Sequence, residues 1–104
     1  MRTFSKELAL FRVLVDERGQ KLRQLSFTEL DAQRGTPIEH VTVGSRPATI
    51  GVIVQTISDG GIRVVVQGFL KAKYLGHHVA LDGFYKYPDQ RVTPMRSEEF
   101  SNFD

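Results

Sequence analysis

Two apolar runs on either side of one turn signal constrain this chain more than any other feature. Residues 49–57 carry Ile50, Val52, Ile53, Val54 and Ile57, and residues 62–70 carry Ile62, Val64, Val65, Val66, Phe69 and Leu70. Between them stand Ser58, Asp59, Gly60 and Gly61. β-Branched side chains fit a pleated, half-buried surface, and glycine accepts the positive φ of a tight hairpin turn. The segment therefore reads as a β-hairpin. A three-residue loop is the expected connection. It sets Val54 opposite Val66, Val52 opposite Gly68 and Ile50 opposite Leu70, and it gathers Ile50, Val52, Val54, Val64, Val66 and Leu70 on one face. Arg63, Gln55 and Gln67 then share the other face with Ile53, Val65 and Phe69. Apolar residues on both faces place the hairpin inside a sheet.

The rest of the chain supplies the neighbours. At 104 residues it has the length of a single domain, taken as 1–104, with enough surface to bury for one core. With no cysteine, disulfides and thiolate metal sites are excluded. No apolar run reaches the length of a membrane-spanning helix, and the N-terminal residues lack the apolar stretch of a secretion signal. The expected location is the cytoplasm.

Residues 4–24 are open to two readings. Phe11, Val13 and Val15 alternate, which favours a strand over residues 9–15; a helix capped by Ser5 is the alternative. Gly19 counts against a long helix, at about 1 kcal/mol. Residues 26–34 form the one short helix: Ser26 and Glu29 have capping-box spacing, Leu25 and Leu30 that of a hydrophobic staple, and Gly35 and Pro37 end it. Strands follow at 38–43 and 77–86. Gly83 there suggests a bulge or a close approach. Tyr87, Pro88, Asp89 and Gln90 make a type I turn into a short strand at 91–93. Ser97 caps a helical turn over about 97–102, with Phe100 and Phe103 expected to dock on the sheet. The fold class is α+β: an antiparallel, meander-like sheet of four to six strands with helices segregated from it.

Chemistry-bearing residues are sparse. His77 and His78 point to opposite faces of a strand and so cannot share a metal unless the strand is bulged. His78 and Asp82 share a face but lie roughly 13 Å apart. His40, His77, His78 and Asp82 are thus weak ligand candidates for an enzyme or small-molecule binder, and no catalytic residue, metal site or cofactor is assigned. No phosphate-binding glycine loop, nucleophile elbow or zinc-protease motif occurs. Net charge is +2, but residues 62–96 concentrate Arg63, Lys71, Lys73, Lys86, Arg91 and Arg96 against Asp82 and Asp89. With Tyr74, Tyr85 or Tyr87 to stack on bases, that segment makes nucleic-acid binding an alternative. The leading expectation is a non-enzymatic interaction module that binds a protein partner or a copy of itself, with no membrane association. Its candidate contacts are Ile53, Val65, Phe69, Lys71, Lys73, Tyr74, Tyr85 and Lys86. One short helix cannot cover both apolar faces of the hairpin, and uncovered apolar surface marks interfaces.

Overall fold

In the computed structural model, which describes residues 6–72 and 74–103 (without the side chains of 102 and 103), the N-terminal segment is a helix, not the expected strand. Helix α1 spans Lys6–Arg23 and buries Leu8, Phe11, Val15, Gly19 and Leu22. Those positions recur every three or four residues, the spacing of one helical face. The alternation of Phe11, Val13 and Val15 misleads because Val13 lies on the outer surface, 53% exposed. Gly19 does not break the helix. It makes room where α1 crosses the sheet: a β-carbon there would run into the Asp82 carboxylate. The expected Ser5 cap lies outside the described residues.

Helix α2 (Phe27–Asp31) has both halves of the capping box. The Glu29 amide donates to Ser26 Oγ at 3.1 Å and the Ser26 amide donates to Glu29 Oε1 at 2.9 Å. It is shorter than the sequence implied; hydrogen-bonded turns, not helix, continue to Gly35.

Five strands follow: β1 (Glu39–Val43), β2 (Arg46–Thr56), β3 (Ile62–Lys71), β4 (His77–Lys86) and β5 (Val92–Pro94). They form one antiparallel meander in the order β1-β2-β3-β4-β5. The fold is α+β, and a 3-10 helix, η1 (Ser97–Phe103), ends the described chain.

The central hairpin has the expected faces but not the expected pairing. Val52 lies opposite Val66, Val54 opposite Val64 and Ile50 opposite Gly68. The pairing is displaced by two residues, so each side chain keeps its face. Five residues, not three, connect the strands: the Ile57 amide donates to the Gly61 carbonyl at 3.0 Å, and Gly60 takes φ +90°. The Gly61 amide donates to Asp59 Oδ1 at 3.2 Å and closes the loop.

Helix α1 lies across the first face of the sheet, above Ile50, Val64, Val66, Leu70 and Phe84, and these make one core with Phe11, Val15 and Leu30. The register sets Ile50, Gly68 and Ala80 in a row under the helix. With no side chain at Gly68, the Phe11 ring settles onto the sheet. Arg34 guards the part of β2 that outruns β1. Its guanidinium donates to the Val54 carbonyl at 3.1 Å and to Thr56 Oγ1 at 2.7 Å. Edge backbone groups left bare would invite pairing with another chain.

Candidate interaction surface

The parity of the strands sorts the candidate residues onto two faces. His78, Asp82 and Lys86 lie on the face covered by α1, and His40, Ile53, Val65, Phe69, Lys71, His77 and Tyr85 lie on the other. The four weak ligand candidates are thereby divided, His40 and His77 on one side of the sheet and His78 and Asp82 on the other.

Asp82 is engaged in holding the fold. Arg23 grips its carboxylate with two hydrogen bonds, at 2.6 and 3.0 Å, and reaches on to the Gly83 carbonyl at 3.2 Å. The same guanidinium sits 4.8 Å from the centre of the Phe84 ring. Desolvation, followed by the charge of Asp82, raises the Asp16 carboxyl above the ordinary aspartate value, while Arg23 pulls it down. A second ion pair joins Arg18 of α1 to Glu39 of β1. Lys86 is 5% exposed and packs its stem inside; it is not at hand for a partner. Among the described residues no group of three metal-ligating side chains converges.

The second face is covered at one end only. Met95 reaches back over Gly83, so Gly83 marks a close approach, with the strand pairing continuous through it. Val65, directly opposite Gly83, is fully buried there. Glu99 of η1 accepts hydrogen bonds from the Tyr85 hydroxyl and from Arg63, the latter at 3.3 Å. The Arg96 amide also donates to Glu99, at 2.9 Å. These contacts, the Tyr85 bond foremost, hold the Glu99 carboxyl below the ordinary glutamate value; the Glu99 bond, followed by desolvation, raises the Tyr85 phenol, while Arg63 pulls it down. Tyr85 is therefore engaged by this chain's own C-terminal segment, and Val65 is out of a partner's reach.

Beyond η1 the face is open. Ile53, Phe69, Val79 and Leu81 are half-buried, and among the described residues no helix is packed over them. Ile38, 60% exposed, extends the patch across Gly51, which its Cγ1 approaches to 3.7 Å from a built β-carbon position. Beside the patch, a concavity of about 140 Å³ is lined by His40, Thr49, Phe69, Lys71 and His77 among others. The His77 ring meets Phe69 edge-on, with centroids 6.4 Å apart. A larger cleft of about 540 Å³ opens past η1, lined in part by Asp59, Tyr85, Tyr87, Arg96, Glu98 and Glu99. It contains no histidine.

The basic residues of 62–96 do not form one stripe. Arg63 is held by Gln55 at 2.9 Å and by Glu99, Lys86 is internal, and the Arg91 guanidinium lies 4.2 Å above the Tyr87 ring centre. Lys71 and Tyr74 are exposed. Lys73 lies outside the described residues.

Sequence reading missed Ile38, Val79 and Leu81 as parts of the open patch. The signal was there for β4: antiparallel pairing carries the parity of Phe69 straight to Val79, and that of Gln67 to Leu81. It also missed Leu10 and Val13, exposed on α1 beside Val43 and Gly44. No protein family, curated protein or solved structure matches the chain. No helix among the described residues is long and apolar enough to cross a membrane.

Proposed function

We propose that the protein is a non-enzymatic interaction module that associates with a second copy of itself through the open half of the sheet. The observation that carries this reading is the asymmetry of cover. A full-length helix closes the first face, whereas η1 closes only one end of the second and leaves Ile38, Ile53, Phe69, Val79 and Leu81. Sheets packed face to face at about 10 Å are a standard way to bury such a surface. A two-fold axis lets the same patch serve both copies. The patch offers five apolar residues, against the roughly 20–30 residues a side of a standard stable interface, so the association is weak and depends on concentration.

Sedimentation over protein concentrations from about 5 µM to about 1 mM tests this in a range where weak complexes form. The expected result is a monomer–dimer equilibrium, abolished by Ile38→Lys and by Leu81→Lys with the circular dichroism spectrum unchanged. Ile38 is already largely in solvent, so its substitution carries little risk to folding. A monomer at every concentration refutes the reading, as does a dimer that both variants leave intact.

A further inference from the structure

Three basic side chains are brought from three strands to one corner of the second face. His40 comes from β1, Lys71 from the end of β3 and His77 from the start of β4, and all three line the same concavity of about 140 Å³. Lys71 and His77 are direct partners in the register. Like charges placed opposite each other across an antiparallel pair destabilise it. Two basic side chains are thereby held opposite each other across the strand pair, an arrangement that an anion seated between them would relieve. Among the described residues no carboxylate lines the concavity. Glu39, next to His40 in sequence, is turned to the other face and held by Arg18. The remaining walls are Thr49, which offers a hydroxyl, the apolar side of Phe69, and Pro47 and Ala48.

We propose that this corner binds a phosphoryl group. Lys71 supplies a permanent positive charge as a compact ammonium. His40 and His77 supply ring N–H donors. Thr49 supplies a neutral hydroxyl. Hydrogen bonds from charged donors to phosphate oxygens are short and strong. The concavity has room for the tetrahedral group but not for a nucleoside, so any larger ligand lies outside along the sheet. The site does not depend on self-association, because it sits beside the apolar patch and is accessible in the monomer.

The test is a titration of dilute, monomeric protein with inorganic phosphate at pH 6, followed by amide chemical shifts. The expected result is saturable shifts confined to the surroundings of His40, Thr49, Lys71 and His77, with weak affinity. Lys71→Gln should weaken binding roughly tenfold, the scale of one lost charge-assisted contact. His40→Gln and His77→Gln should each weaken it less. A parallel titration with ribose 5-phosphate separates sources: tighter binding than phosphate indicates a phosphorylated small molecule, and equal binding indicates the free anion. Shifts reproduced by chloride at equal ionic strength overturn the proposal. So do shifts that never saturate, or a Lys71→Gln variant that binds as well as the parent.

Discussion

Replacing Gly68 by alanine adds one methyl group at the most crowded point of the helix–sheet contact. A β-carbon there would lie 2.6 Å from Phe11 Cζ, 2.8 Å from Val15 Cγ2 and 3.3 Å from Phe11 Cε1. Phe11 is 0% and Val15 1% exposed, so neither has free space to move into. Gly68 does not have a positive φ, so the backbone accepts alanine and the cost is steric. Overpacking of a close-packed core costs about 1–3 kcal/mol. The lower entropy of the unfolded alanine chain offsets about 0.4–1 kcal/mol of this. The net expectation is a loss of about 1–2 kcal/mol, or a melting point lower by roughly 5–15 °C for a domain of this size. Gly51→Ala is the matched control. Its β-carbon would meet only Ile38 Cγ1 at 3.7 Å and the Gln67 carbonyl at 4.0 Å, so it should leave stability unchanged or slightly raised. Urea and thermal unfolding of both variants, followed by circular dichroism, read the difference. A Gly68→Ala protein as stable as Gly51→Ala would refute the placement of α1 over this row.

Further consequences concern the charged groups. Arg23→Gln leaves the partly buried Asp82 carboxylate without its bidentate partner and should cost about 1–3 kcal/mol in urea unfolding; an unchanged midpoint would show the pair to be idle. Glu99 and Glu39 are both held below the ordinary glutamate value, by Tyr85 and by Arg18 respectively. The unfolded chain therefore binds protons more readily than the folded one, and the stability these groups add is present above the usual glutamate range and lost as pH falls through the lower folded values. Unfolding midpoints measured from pH 6 down to pH 3 should decline, and Glu99→Gln should flatten the decline; midpoints that hold steady would contradict this. Asp16 has the opposite sign, its carboxyl being raised by desolvation and by Asp82. Asp16→Asn should therefore stabilise the protein at neutral pH, and a lower melting point at pH 7 would count against that placement.

Much of the fold is written in local chemistry. Ser26 and Glu29 specify a helix start within four residues, and Gly60 and Gly61 mark the hairpin. The pairing of that hairpin is a different matter. A shift of two residues leaves every side chain on its face, so burial alone cannot choose between a three-residue and a five-residue loop. The choice rests on the bonds among Ile57, Asp59 and Gly61. Helix α1 was hidden by the short window: over residues 9–15 the alternation looks like a strand, and only the longer series Leu8, Phe11, Val15 and Leu22 has one consistent period. The division of His40 and His77 from His78 and Asp82 follows from parity once the strands are placed. That Met95 lands on Gly83 and η1 on Tyr85 and Arg63, while Ile53 and Phe69 stay half-buried, depends on where the C-terminal segment runs, and no local pattern encodes it.

Self-association is read most directly by an isotope-filtered NOE experiment on a concentrated mixture of labelled and unlabelled protein, which detects contacts only between copies. Self-association through the open half of the sheet predicts intermolecular contacts joining the methyl groups of Ile38, Ile53, Val79 and Leu81. Contacts arising instead from Leu10 and Val13 of α1, or none at all, would contradict it.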